Sequence, residues 1–373
     1  MVQNEANSII SGIILRSPVL QNGILRKGVV VCNYPWIVKR HIPDLDRLYW
    51  IVERRGWQGF TGSRAADIQL VDDLPAQWRW NKLAVLARAV RRWTPWPDSA
   101  RLPIALPYGN ADFVDTSAFM PDGRHKIYDA LMIARWDRFK NHQLLVDAFR
   151  ILKRQGAEVR GLMFGHMVNN DTRSAIEYKN HIVTTIRAEG LPIDLPGVDD
   201  MTDKGFIHTK NSIAQWINAS RAGLVLARVE AINRFKMESL SCDVPVIICD
   251  DACWCVRKHI GSQTGIMAAR RADAVAAAIL AVRDGARFSP RGYIMAHTGI
   301  DRAMAALQHA VDGLDAPMGL EPAAIARYDG RNDTLIWDGF VRQLSVEVDL
   351  HRGFINTGGS FHSWPPPADR YEL

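Results

Sequence analysis

Long apolar runs are missing from this chain. None approaches the roughly 18 consecutive residues that a bilayer-spanning helix needs, so no membrane span is expected. The start, MVQNEANSIISGIILRSPVL, has a short apolar piece but no basic segment ahead of it, and is not expected to act as a signal peptide. Cysteine is scarce: there are five, an odd number, mostly near apolar runs. That argues against a disulfide framework and for a reducing compartment, the cytoplasm. Basic residues form scattered pairs, Lys39-Arg40, Arg54-Arg55, Arg91-Arg92 and Arg270-Arg271, with no long run of the kind that makes a DNA-binding tail. Internal repeats are absent, and biased composition is confined to Trp364-Pro365-Pro366-Pro367.

What is present is ordinary globular composition. The 373 residues are 47% hydrophobic and 23% charged, enough chain for two domains. The net charge of +6 favours anionic partners: a sugar nucleotide, a peripheral anionic surface or a nucleic acid. Cys253, Cys255 and His259 are three loosely spaced metal-ligand types without a fourth, so no metal is expected there.

Hydrophobic spacing predicts a strand over 29–32, helices over 44–55 and 82–93, and a strand over 102–106. The loop 119–123 is a candidate hinge. A regular alternation follows: strand 128–134, helix 141–155, strand 159–165, helices 172–189 and 212–219, strand 223–227, a helix from about 232, strand 244–249 and helix 272–283. Late helices are expected over 303–311 and 333–344. Alternating strands and helices imply a parallel sheet covered on both faces, with ligands outside the carboxyl ends of its strands.

At one such end stands Glu230 to Glu238, read as E-A-I-N-R-F-K-M-E, between two apolar runs. Two glutamates at that spacing also occur on solvated helix faces. Here the first falls on a turn and the second in the helix, whose N-terminus offers N–H groups and a positive dipole end to an anion. Upstream, Arg135 and Lys140 flank a short loop between a strand and an amphipathic helix.

These segments, in this order, resemble the retaining GT-B glycosyltransferases, in particular their large family 4. The matching features are Arg135 and Lys140 in Arg-Trp-Asp-Arg-Phe-Lys, the Glu-x7-Glu stretch, Ser241-Cys-Asp-Val-Pro-Val-Ile247, and Thr264-Gly-Ile-Met267 before an Ala-rich helix. Pro107-Tyr-Gly-Asn-Ala-Asp112 with Phe119 and Pro121 resembles the family's linker. The resemblance covers about 107–285. It implies an α/β chain of GT-B class, two Rossmann-like domains facing a central cleft, the N-terminal one short or divergent. The expected domains are 1–122 for the acceptor, 123–332 for the nucleotide sugar, and 333–373 as a terminal helix and Pro-containing tail.

It also implies roles. Arg135 and Lys140 bind the donor diphosphate, where fixed cations stabilise the charge growing on the leaving oxygen without a metal. Glu230 contacts the donor sugar and Glu238 the ribose. Ala231, Ile232 and Asn233 line the start of the helix, and Arg228 orients Glu230 or touches phosphate. On the acceptor side, Asn33, Tyr34 and His41 follow the first strand predicted. No cofactor is expected beyond the nucleotide-diphosphate sugar as co-substrate, and the implied activity is hexosyl transfer to an unidentified acceptor hydroxyl.

Three departures stand out. Ala231 and Asn233 occupy positions where the family commonly has glycine. Asp243 replaces the glycine before Val-Pro, and these replacements of glycine are together expected to narrow the phosphate pocket or select an unusual donor. The N-terminal half is short for an acceptor domain. Three alternatives stay open: a sugar-nucleotide epimerase or hydrolase on the same fold, a nucleic-acid-interacting GT-B protein or base glycosyltransferase, and a non-catalytic subunit.

Overall fold

The structure is a computed structural model that describes residues 11–32, 42, 45–53, 110–165, 173–198, 209–228, 233–252, 254–316, 319–326 and 335–336. The chain divides into two units, one of residues 1–113 with 300–373 and one of 114–299. The helix and strand expected over 82–93 and 102–106 lie outside the described residues.

The first unit opens with β1 (Ser11–Arg16), the hairpin β2 (Val19–Gln21) and β3 (Ile24–Arg26), and β4 (Gly28–Cys32). Asn22 and Gly23 turn the hairpin at φ 52° and 76°, the positive-φ pair that a tight two-residue loop requires. The helix expected over 44–55 is a correction. Only α1 (Leu45–Leu48) is helical, and β5 (Tyr49–Glu53) follows without a break. Leu45, Leu48, Ile51 and Val52 fit a helical period, yet Tyr-Trp-Ile-Val also suits a strand, and parallel pairing of Gly28–Cys32 with Tyr49–Glu53 decides the outcome.

The second unit carries β6 (Ala130–Ile133), α2 (His142–Arg154), β7 (Gly161–Phe164), α3 (Arg173–Ala188), β8 (Ile193–Asp194), α4 (Lys210–Asn218), β9 (Gly223–Val225), α5 (Arg234–Ser241), β10 (Val246–Cys249), α6 (Trp254–Arg257), β11 (Gly265–Ala268), α7 (Ala272–Arg283) and α8 (Pro290–His297). The six strands are parallel, in the order β11-β10-β9-β6-β7-β8. Alternate residues of each strand face opposite sides. Ala130, Met132, Met163, Leu224, Ile247 and Cys249 pack with α2, α3 and α7 in one core. The other face takes α4 and α5: Phe164 meets Trp216 of α4, and a Cβ on Gly223 would lie 2.9 Å from Ser239 Oγ of α5. A larger residue there would press on Ser239 and Phe235 of that helix. On α2, Leu144, Leu145, Phe149 and Leu152 are all buried. Each such side chain contributes roughly 1.5–3 kcal/mol relative to exposure.

The chain then returns to the first unit as α9 (Ile300–Asp315) and β12 (Leu335–Ile336). Leu335 and Ile336, expected within a helix over 333–344, instead pair antiparallel with Gly12 and Ser11. Two residues carry too little pattern to announce a strand, and their partner is at the other end of the sequence. Among the described residues the sheet β12-β1-β4-β5 is mixed: β4 and β5 are parallel, and β1 runs antiparallel to both β4 and β12. Leu15, Val29 and Val31 form a core with Phe113 and with Ala303, Leu307 and Val311 of α9. The buried Asp315 pairs with Arg16 at 2.7 Å and accepts from Trp50 Nε1 at 3.2 Å. No described helix is long and apolar enough to cross a membrane.

Candidate functional site

The chain runs from β6 outward to β7 and β8, then crosses back to lay β9 on the other flank of β6. The connection therefore reverses direction between β6 and β9, and the carboxyl ends beside such a switch point leave an open crevice. Arg135, Lys140 and Arg228 come from the two segments that leave the sheet there.

The β6 exit is built as a two-faced loop. Ala134 N donates to Phe164 O at 3.0 Å, and Trp136 Nε1 donates to Gly165 O at 3.0 Å. A Cβ on Gly165 would fall 1.7 Å from Ala134 O, so the close approach of the β6 and β7 exits requires glycine. Residues 138–140 form a 3-10 turn, and Asn141 leads into α2 at φ 61°. On the outer face Arg135 pairs with Asp137, and the half-exposed ring of Phe139 has the Arg135 guanidinium carbon 5.4 Å and Lys140 Nζ 4.9 Å from its centroid. Both cations expected from sequence therefore share one aromatic platform.

The inner face is a column of rings. Trp136 stacks on His142 at 4.7 Å, Tyr178 of α3 meets His142 edge-on at 5.8 Å, and the Arg138 guanidinium lies 5.2 Å from the Tyr178 ring. His142 is fully buried, and neither ring nitrogen makes a hydrogen bond. Burial, with a smaller push from the charge of Lys140, takes the imidazole down to about 4, partly offset by the nearby carbonyls of Ala134 and Asp137. It is therefore neutral at pH 7. Nothing in the spacing of the sequence singled out His142.

At the β9 exit, Leu226 and Ala227 are buried and Arg228 is half-exposed. The helix expected from about Ile232 starts, as described, at Arg234, with Asn233 as its N-cap, whose Oδ1 accepts from Lys236 N at 2.7 Å. A short polar side chain at that position caps better than the glycine of the resemblance would. Glu238 is buried in the second turn of α5. Lys236, also buried, donates through Nζ to Val256 O at 3.0 Å and Lys258 O at 2.7 Å, tying α5 to the end of α6. Burial foremost, and the charge of Glu238 next, push the Cys242 thiol up to about 12.

Sequence reasoning missed Asp251 and Arg270. Asp251 follows β10 and Arg270 follows β11, so both lie on the same carboxyl edge. Asp251 Oδ2 is 3.4 Å from Arg228 Nε, and Arg270 Nε donates to Asp251 Oδ1 at 2.7 Å. Applying the strand-end rule to every strand, instead of to the two with matching motifs, would have found them.

Asp243 corrects another expectation. It precedes β10, at the amino edge of the sheet, away from the carboxyl ends. Its φ is 60°, and its carboxylate accepts from Arg291 N at 3.0 Å in the first turn of α8. It thus replaces glycine as a residue that tolerates a left-handed backbone while capping a helix, and does not narrow a pocket at the carboxyl edge.

Asn33, Tyr34, His41, Glu230, Ala231 and Ile232 lie outside the described residues, as do Cys253 and the side chain of Cys255. His259 is described: its Nδ1 lies 3.3 Å from Tyr293 Oη.

No family model matches the sequence, and no curated protein matches it. Among solved structures the chain is similar to a sucrose-phosphate synthase from Thermosynechococcus elongatus, at 16% identity over 78% of this chain and 74% of that one, with a TM-score of 0.51. It is also similar to the C-terminal domain of a glycosyl transferase group 1 family protein from Francisella tularensis, at 17% identity over 49% of this chain and 97% of that one, TM-score 0.40. A third is HepE from Anabaena, solved with UDP and glucose, at 14% identity over 51% of this chain and 48% of that one, TM-score 0.40. The likeness to the sucrose-phosphate synthase, with the parallel six-stranded sheet, shows the fold: α/β, of the GT-B class.

Proposed function

We propose that the chain is a retaining, metal-independent glycosyltransferase of the family 4 type, moving a sugar from a nucleotide-diphosphate sugar to an acceptor hydroxyl. The observation that carries this reading is the switch point between β6 and β9, where the segment bearing Arg135 and Lys140 and the one bearing Arg228 leave adjacent strands. On this reading Arg135 and Lys140 hold the diphosphate and stabilise the charge on the leaving oxygen. The N-terminus of α5, capped by Asn233, adds backbone N–H groups and its dipole, and Ala231 and Ile232, which precede it in sequence, are assigned to the donor. Glu238 accepts from the ribose hydroxyls. Glu230 accepts from the sugar and faces the positive charge of an oxocarbenium-like transition state. Asn33, Tyr34 and His41 lie on the acceptor side. The buried thiols of Cys242 and Cys249 are in keeping with a reducing cytoplasm.

Thermal-shift screening against UDP, GDP, ADP and TDP sugars tests the donor class, because a ligand that binds only the folded state raises the melting temperature. One class is expected to stabilise the protein, and incubation with acceptors should yield a glycoside of retained anomeric configuration. No stabilisation by any nucleotide-diphosphate sugar sinks the proposal. Release of free sugar or an epimer reassigns the site to hydrolysis or epimerisation.

A further inference from the structure

Arg270 stands outside the residues just given roles in donor binding, yet it reaches the same edge of the sheet. It leaves the end of β11 and crosses two strands. Its Nε donates to Asp251 Oδ1 at 2.7 Å, beyond the end of β10. Its Nη1 donates to Leu226 O at 2.6 Å, beyond the end of β9. The other oxygen of Asp251 lies 3.4 Å from Arg228 Nε. One side chain thereby joins the exits of three adjacent parallel strands, and the chain it holds at Leu226 leads within four residues to Glu230.

We propose that Arg270 is a positioning residue that fixes the β9 exit, holding the Leu226 carbonyl directly and aiming Arg228 through Asp251. The kinetic part of this inference rests on the glycosyl-transfer reading above. The geometry of guanidinium explains the choice of residue. Its donors diverge in one plane, so it serves a carboxylate and a carbonyl together, whereas an ammonium on a flexible stem has no fixed fork. Coulomb attraction alone would not define the direction of Arg228. The side chains of Arg228, Asp251 and Arg270 are 34%, 32% and 20% exposed, so water screens the pair. The hydrogen bonds of Arg270 fix the Leu226 carbonyl and the Asp251 carboxylate, and the carboxylate so held faces Arg228 Nε as an ion pair at 3.4 Å. A bridge that merely stapled the sheet edge would add stability and leave turnover unchanged.

The test uses the full chain as R270A and R270K, with two readouts. Backbone amide exchange at Leu226–Arg228 should speed up about tenfold or more in R270A, as expected when a local hydrogen-bonded constraint is lost. Turnover at saturating donor should fall about 10- to 100-fold, as misplacement of a reacting group does, while the donor KM moves less than about threefold. R270K should recover thermal stability without recovering turnover. Unchanged exchange in R270A overturns the proposal whatever the activity. A lower melting temperature with unchanged kcat and KM also overturns it and leaves the staple. If the wild-type chain transfers no sugar from any donor, the functional reading fails separately, and the exchange data still decide whether Arg270 fixes the exit.

Discussion

The imidazole of His142 stacks on the indole of Trp136 with ring centroids 4.7 Å apart, directly beneath the loop that carries Arg135 and Lys140. The histidine is fully buried and its titration is pushed down from 6.5 to about 4. In the unfolded chain it titrates near its ordinary value. Between those values the unfolded state binds a proton that the folded state refuses, so acidification favours unfolding. Above about pH 6.5 this penalty is absent, and by pH 5 it reaches about 2 kcal/mol. Replacing His142 with Phe keeps the stack and removes the titration. Urea denaturation at pH 7 and pH 5 should show the wild type losing about 2 kcal/mol more than H142F over that interval.

Lys140 shares the Phe139 ring with Arg135 at the β6 exit. K140A should lower turnover by roughly 100-fold or more, as loss of one charge-stabilising donor does, without a change in melting temperature beyond that of a surface substitution. Steady-state kinetics on the identified donor checks this, and wild-type turnover in K140A removes the diphosphate assignment.

Gly165 is the point where the β6 and β7 exits touch. Because an added Cβ would fall 1.7 Å from Ala134 O, G165A must push backbone away from backbone. The expected loss is about 1–3 kcal/mol, as for overpacked cores, with weaker donor binding because the displaced segment leads into Arg135. Chemical denaturation and donor titration measure the two effects.

At Asp243 two effects compete. D243A loses the acceptor for Arg291 N and leaves an alanine at φ 60°, so it should cost about 1–2 kcal/mol. D243G loses the acceptor and relieves the backbone, so it should cost less. Neither change should alter donor affinity, since the residue lies at the amino edge of the sheet. A shift in affinity would return Asp243 to the phosphate pocket.

Much of the second unit was legible because its strands are short apolar runs between breakers and its helices repeat at 3.6 residues. Val246–Cys249 and α2 announce themselves in this way. Where a second period fitted equally, as at Leu45 to Val52, pairing with a distant strand made the choice. β1 and the hairpin after it went unplaced because Ser11–Arg16 is short and lacks strict alternation, and each hairpin strand has only three residues. The cations of the β6 exit were visible as a motif in one segment. Arg270, Asp251 and Arg228 were invisible as a group because three separate strands deliver them, and only the order of those strands makes them neighbours.

The return of the chain to its first unit has a consequence for synthesis. Residues 114–299 are continuous, and their six described strands have all been made by residue 268. The mixed sheet is different: β12, which pairs along the flank of β1 away from β4, is made long after β1 itself. Until β12 has been made, β1 therefore waits with an open hydrogen-bonding flank. A nascent chain stalled before Leu335 would present that flank to chaperones or to its own neighbours on a polysome.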